Sequence, residues 1–458
     1  MLYATDWLRI FWLLMKKRIS NFRIFTSIVL LGIFIPGRTF AQLTDSLPIR
    51  CVTHEREVFR GKKSPGLLRD RINTENAIQE YLNTNRSQLR TAASDEIIRI
   101  PVVVHVVHNR RDGVIGGADN PNITDEQIRS QIAILNEDYR KKAGTKGFNS
   151  DPVGVDTGIE FYLAEYDENG KGTTGITRTS YTSKDNFNPI TDDALLSSIV
   201  YWPSDKYLNI WVCRLSATYL GIAQFPSVEG LDGLNTKNEN YDKTDGAIID
   251  FRYFGRNSVA NSSKIYNLGR TTTHEIGHWL GLIHIWGDAV CGDDFCDDTP
   301  TAEGSNQTSF CTDKYSNCSG FRTRNMIENY MDYSPDSCMN IFTADQLGRM
   351  RAVLALSPRR AKLIESARLG RLDPAENLTV EVFPNPASEE LNANVRFADF
   401  QNFTLSVYDQ RGNQLQSQSY IDVWSRKVTV DINKYNTGLY IFKVTTDKET
   451  VTKKFVIK

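Results

Sequence analysis

Residues 274–284 read His274-Glu275-Ile276-Gly277-His278-Trp279-Leu280-Gly281-Leu282-Ile283-His284. The chain holds six histidines, and three of them fall in this stretch. On a helix, residues four apart share a face, so His274 and His278 direct their imidazoles at one point. Gly281 lets the backbone leave the helix by a left-handed or tight conformation, and His284 then approaches from beyond the helix end. Three neutral nitrogens leave one corner of a tetrahedral zinc open, which is the layout of a reactive rather than a structural site. Glu275 flanks the ion without having to bind it, and its carboxylate can take a proton from a water held there. The short form HExxH is a modest signal, whereas HExxHxxGxxH fixes five positions and is strong.

Outward from this motif the chain separates by texture. A helix is expected over about 268–282. Before it, Arg99–Val107 (RIPVVVHVV) is a β-branched run suited to a strand buried on both faces. An amphipathic helix is expected at 124–139, with Ile128, Ile132, Leu135 and Tyr139 on one stripe. Strand-like runs follow at Ile159–Ala164, Leu208–Cys213 and Gly246–Asp250. A short helix fits 74–82, residues 42–68 read as polar and irregular, and loops dominate 285–340. A last helix fits 343–367. Strands followed by one buried helix suggest an α+β domain. From Leu378 onward, short alternating runs separated by turns predict a small all-β sandwich without His or Cys. His105 and His108, three apart on a strand, face opposite sides and cannot share a metal. They and His54 read as structural or incidental.

Composition bounds the rest. The 458 residues are 40% hydrophobic and 24% charged, as in ordinary globular proteins. Lys plus Arg number 54 against 55 Asp plus Glu, so no basic surplus points to a nucleic acid. The N-terminal part carries Lys16, Lys17 and Arg18, then an apolar run from Ile24 to Ile35 and small residues before Gln42. This is the pattern of an export signal over 1–41, with Met15 a candidate start. Seven cysteines agree with an oxidising destination. Five of them lie between 291 and 338, and the odd total leaves at least one thiol unpaired.

The motif HEIGHWLGLIH, then Asp297-Asp298-Thr299-Pro300, then Asn329-Tyr330-Met331-Asp332-Tyr333 and Asp336-Ser337-Cys338, resembles the pappalysin branch of the metzincin zinc endopeptidases, especially the cytophagalysin-type secreted enzymes. The likeness covers roughly 97–367. It implies a metzincin catalytic domain, a twisted sheet with backing and active-site helices over an irregular lower part. The implied reaction is hydrolysis of peptide bonds, with Glu275 as general base to a water activated by zinc on His274, His278 and His284. It further implies that Met331 packs beneath the ligands and that Tyr333 steadies the tetrahedral intermediate. Asp336 would line the pocket for the residue after the cut (P1′) and favour Arg or Lys there; otherwise it caps a turn beside Cys338. Calcium would sit at Asp294, Thr299 and the backbone of Asp297, where the residues alone read equally as a solvated acidic loop. The implied disulfides are Cys291–Cys318 and Cys311–Cys338, with Cys296 extra and Cys213 a buried packing thiol.

Cys51, in Arg50-Cys51-Val52-Thr53, resembles the cysteine by which related precursors stay latent, its thiolate taking the open zinc position. An ordinary unpaired cysteine is the alternative. The C-terminal sandwich resembles the type IX secretion sorting domain. The expected order is therefore a signal (1–41), a prosegment (42–68), a metzincin domain (69–370) and a sorting sandwich (371–458). The expected product is a secreted, monomeric enzyme whose partners are protein substrates and the type IX machinery. The rival functions are a catalytically silent surface adhesin and a zinc hydrolase of a non-peptide amide.

Overall fold

A computed structural model describes residues 48–91, 97–169, 171–216, 219–228, 242–256, 265–369, 375–398, 401–423 and 425–458. The expected export signal lies outside these residues. The described chain begins with strand β1 (Ile49–Cys51), helix α1 (Thr53–Lys63) and the long helix α2 (Pro65–Thr91). The apolar run then forms β2 (Ile98–His108), followed by α3 (Asp125–Tyr139), β3 (Ile159–Leu163), β4 (Ile176–Ser180) and α4 (Asp193–Ile199). Next come β5 (Leu208–Cys213), β6 (Tyr219–Ala223), β7 (Gly246–Asp250) and the motif helix α5 (Arg270–Trp279).

These seven strands form one sheet in the order β1-β6-β7-β5-β2-β3, with β4 also on β2. All its pairs are parallel except β6–β7. β2 reads as unbroken apolar sequence because both its faces are covered. Ile100, Val102, Val104 and Val106 pack with Ile132 and Leu135 of α3 and Ile276 and Trp279 of α5. On the other face, Val107 packs with Leu196 of α4 and with Trp211 and Ile248. His105 is tolerated there because both ring nitrogens are bonded, to Thr177 Oγ1 at 2.7 Å and Asn209 Oδ1 at 2.8 Å. Burial lowers its pKa to about 4, so the imidazole is neutral.

Beyond α5 the chain is largely irregular, with a two-stranded hairpin of β8 (Tyr315–Ser316) and β9 (Thr323–Arg324). Two disulfides hold it, Cys291–Cys318 and Cys311–Cys338, the pairs the resemblance implies. Cys51, Cys213 and Cys296 are free and buried. The lower part ends in α6 (Ala344–Leu356), which carries a Thr343–Gln346 capping box, and α7 (Pro358–Leu369).

The C-terminal strands are β10 (Thr379–Phe383), β11 (Glu390–Arg396), β12 (Gln401–Tyr408), β13 (Gln414–Val423), β14 (Arg426–Asp431), β15 (Gly438–Thr446) and β16 (Thr450–Ile457). They make two antiparallel sheets, β10-β11-β14 and β13-β12-β15-β16. Their inward residues, among them Leu391, Leu405, Val428, Phe442 and Phe455, form a separate core.

Three expectations are corrected. Residues 42–68 are not irregular throughout, since β1 and α1 are regular elements, and β1 exists because β6 offers it an edge. The helix expected at 74–82 extends over 65–91, so position 68 lies inside α2. The helix expected at 343–367 is two helices, because Ser357 is extended (ψ 115°) and Pro358 starts the second. Among the described residues no helix is long and apolar enough to cross a membrane.

Candidate active site

Helix α5 is buried along its whole length and packs against β6 and β7, with His274 and His278, four apart, on one face and Glu275 beside them. The carboxylate of Asp336 caps its start, where Oδ2 accepts the Leu268 and Arg270 amides at 2.9 and 3.3 Å. The helix stops at Leu280, and Gly281 takes a positive φ of 88° that returns the chain toward the site. His284 thereby joins the other two. The three Nε2 atoms lie 3.1–3.2 Å from one another.

Each ring is oriented through its other nitrogen. Nδ1 of His274 is 2.7 Å from the Tyr330 carbonyl, and Nδ1 of His278 is 2.8 Å from the Leu282 carbonyl. Nδ1 of His284 bonds the Asp288 carboxylate. With these nitrogens donating, all three Nε2 lone pairs face a common centre. Burial, then the neighbouring imidazoles, push His274 and His278 well below the ordinary pKa, so they stay unprotonated. Lone pairs crowded in this way repel unless a cation lies among them. Tetrahedral zinc with bonds of about 2.0–2.1 Å would set such nitrogens roughly 3.3 Å apart, so the donor set fits that ion.

Three other residues frame this centre. The sulfur of Met331 lies against Gly277, where an added Cβ would collide with it, so only glycine lets the Met-containing turn pack under the ligand helix. Trp286 stacks on His284 at 4.4 Å between centroids. Tyr333 meets His284 edge-on at 5.0 Å. Its hydroxyl donates to the Cys51 carbonyl at 3.0 Å, and burial keeps the phenol protonated.

Cys51 enters from β1. Its Sγ and the three imidazoles offer ligand atoms that all lie within 4.8 Å of one another. The Cys51 Sγ is also 3.4 Å from Glu275 Oε2, and the Thr53 hydroxyl donates to the same oxygen at 3.1 Å. Burial pushes the Glu275 carboxyl up to about 8, against the lowering pull of these two hydrogen bonds. Arg50 is fully buried. Its guanidinium pairs with Asp336 Oδ1 at 3.1 Å and donates to the Ser334 carbonyl at 2.7 Å.

Of the calcium candidates, Asp294 and Thr299 lie together. Asp294 and Thr299 are buried, with the Thr299 hydroxyl 2.8–2.9 Å from both Asp294 oxygens. Burial raises the Asp294 carboxyl to about 7. The Asp297 side chain is exposed, and its amide donates to Asp345 at 3.1 Å.

Sequence reasoning passed over Arg50, Thr53, Trp286 and Asp288. For Asp288 the signal is its place four residues beyond His284. His54, read as incidental, also reaches Asp288, at 3.3 Å.

Residues 191–355 match the peptidase family described as pregnancy-associated plasma protein-A. A mutant form of promirolysin from Tannerella forsythia is 35% identical and covers 69% of this chain and 98% of that one, with a TM-score of 0.55. The chain belongs to this family. Mature mirolysin in complex with a cleaved peptide, also from Tannerella forsythia, is 39% identical over 60% of this chain and 98% of that one, with a TM-score of 0.51. An extracellular metalloprotease of Arthroderma gypseum is 30% identical over 256 residues, 55% of this chain and 73% of its own length. Residues 381–458 match the secretion system C-terminal sorting domain. As a member of the pregnancy-associated plasma protein-A family with such a tail, the protein is a secreted or cell-surface zinc metalloendopeptidase. Its substrates are proteins or peptides, and its tail addresses it to export machinery.

Proposed function

We propose that this peptidase is made as a latent zymogen, that Glu275 is its general base, and that it cuts before Arg or Lys. The observation that carries the reading is the path of residues 50–53 through the site. Cys51 points its sulfur at the three histidines, Thr53 engages Glu275, and Arg50 fills the pocket of Asp336. The similarity to both a promirolysin and a mature mirolysin holding a cleaved peptide supports a precursor and a product-binding cleft.

Held by His274, His278 and His284, zinc would supply Lewis acidity, polarising a peptide carbonyl and lowering the pKa of a water to about 7. The chain's own groups do the rest. Once Thr53 and Cys51 have left, Glu275 accepts a proton from the attacking water and delivers it to the departing amine. Tyr333, which already donates to one peptide carbonyl, donates to the oxyanion of the scissile one. Strand β6, paired with β1 before activation, is left as a free edge for an extended substrate.

Arg50 supports the preference after the cut, because a guanidinium from this chain's own sequence is already ion-paired with Asp336. Direction explains why Arg50 inhibits instead of being cut. In a substrate the residue in this pocket follows the scissile bond, whereas Arg50 precedes the residue at the histidines. The segment therefore runs backward through the site. Calcium at Asp294 and Thr299 is proposed as a structural ion, supported by a buried carboxylate whose charge burial disfavours.

The test is digestion of a denatured protein by the full-length secreted enzyme, with and without zinc chelation and beside Glu275→Ala, with cut positions read by mass spectrometry. Chelator-sensitive cuts before Arg or Lys, slowed about 10²–10⁴-fold in the variant, are expected. Cuts that survive both treatments would overturn the proposed chemistry, and cuts without a basic residue following would overturn the pocket.

A further inference from the structure

We infer that Tyr266 is a specificity-determining residue of the Asp336 pocket, selecting a guanidinium over an ammonium as the residue after the cut. This selection presupposes that the pocket receives that residue, as proposed above.

The carboxylate alone cannot make the choice. Its Oδ2 is occupied by the Leu268 and Arg270 amides, so only Oδ1 faces Arg50. A two-pronged fork onto both carboxylate oxygens is unavailable, and a single oxygen attracts any cation. The pocket's own guanidinium, Arg270, pairs with the Asp138 carboxylate at 3.2 Å and donates to the Lys146 and Asp336 backbone carbonyls at 2.7 and 2.5 Å. The Asp336 carboxylate itself is ion-paired with Arg50.

Discrimination comes from the other two walls. The Ser334 carbonyl accepts from NH1 of Arg50 at 2.7 Å, while NH2 ion-pairs with Asp336 Oδ1 at 3.1 Å without hydrogen-bond alignment. A guanidinium spans these acceptors with two different nitrogens, whereas an ammonium has one compact centre on which both would have to converge. The third wall is the Tyr266 ring, whose centroid lies 5.0 Å from Arg50 Cζ. A planar delocalised cation rests on that face. The ring is fully buried, and its hydroxyl donates to the Tyr333 carbonyl at 3.1 Å. The Met-containing turn that carries Tyr333 therefore also fixes the ring.

The test uses paired peptides that differ only in Arg or Lys after the cut, competing for the zinc-loaded enzyme that the full chain yields on activation. The ratio of the two cleavage rates cancels any general loss of activity. Wild type should favour Arg, and Tyr266→Leu should lower the Arg-to-Lys ratio about five- to tenfold, the scale of a desolvated cation–π contact. Tyr266→Phe, which keeps the ring, should restore most of it. An unchanged ratio in Tyr266→Leu would overturn the role of Tyr266. A wild type indifferent to basic residues would instead overturn the pocket reading beneath it.

A second variant needs no change at the pocket. In the full-length zymogen, Arg50→Lys should shorten the time to self-activation several-fold. If the lysine variant stays latent as long as wild type, the pocket does not discriminate.

Discussion

The Thr53 hydroxyl donates to Glu275 Oε2 at 3.1 Å and accepts from the Ala223 amide at 3.0 Å. One buried side chain thus engages the proposed general base and strand β6 together. Latency should therefore have two parts, the Cys51 sulfur at the histidines and the Thr53 hydroxyl at Glu275. Thr53→Val keeps the shape and loses both of these hydrogen bonds together with a third, which the hydroxyl accepts from the Cys51 thiol at 3.2 Å. Full-length Thr53→Val should self-activate roughly tenfold faster than wild type, the scale of a lost buried hydrogen bond. Cys51→Ser should be faster still. Following the appearance of mature enzyme on gels checks this, and wild-type timing in the valine protein would mean that Thr53 only packs.

Much of the site was legible because its chemistry is local. Three candidate ligands and the proposed base fall within eleven positions, and that spacing suits a helix followed by a tight turn. What stayed hidden depends on distant pairings. Arg50 and Asp336 are 286 positions apart, and nothing in either neighbourhood marks the other as its partner. The three-residue strand β1 has no pattern of its own and is formed by the edge of β6. Helix α2 runs well past the expected 74–82, and Leu68 and Ile72 near its start are 51% and 61% exposed, so its first turns are not held by burial of an apolar stripe. The break between α6 and α7 was in view at Pro358. Proline in a continuous helical pattern marks a boundary, and the single-helix reading passed over it.

The disulfide Cys311–Cys338 closes a loop of sequence separation 27 and ends two residues from Asp336. In the chain-entropy account such a loop contributes about 3.5 kcal/mol. The double variant Cys311→Ser with Cys338→Ser should lower the thermal midpoint by several degrees. The Met-containing turn rests on Gly277 through Met331, a contact the bridge does not make, so zinc content by mass spectrometry should be retained. Loss of zinc would show that the bridge also holds the ligand set together.

Calcium should stabilise the loop of Asp294. A ligand at a hundredfold its Kd contributes about 2.7 kcal/mol to a folded state that alone binds it. Adding calcium to the chelator-treated, zinc-restored protein should raise the thermal midpoint by a few degrees, and Asp294→Asn should abolish that rise. An equal rise in the variant would place any bound calcium elsewhere.

Helix α2 is tied to α6 by Arg349, fully buried, whose two terminal nitrogens donate to the Glu75 oxygens at 2.7 and 2.8 Å. Burial pushes the Glu75 carboxyl up, but the hydrogen bonds and charge of Arg349 outweigh it and leave the pKa below its ordinary value. The sign follows from linkage. A depressed carboxylate contributes stability that is fully present above its unfolded pKa, about 4.3, and is lost as the pH falls through the lower folded value. Glu75→Gln leaves Arg349 buried without its counter-charge and should cost about 3 kcal/mol at pH 7. Denaturant unfolding of full-length wild type and variant should show that gap at pH 7 and its narrowing as the pH falls below about 4. A gap that does not change with pH would mean that the glutamine loses packing rather than charge.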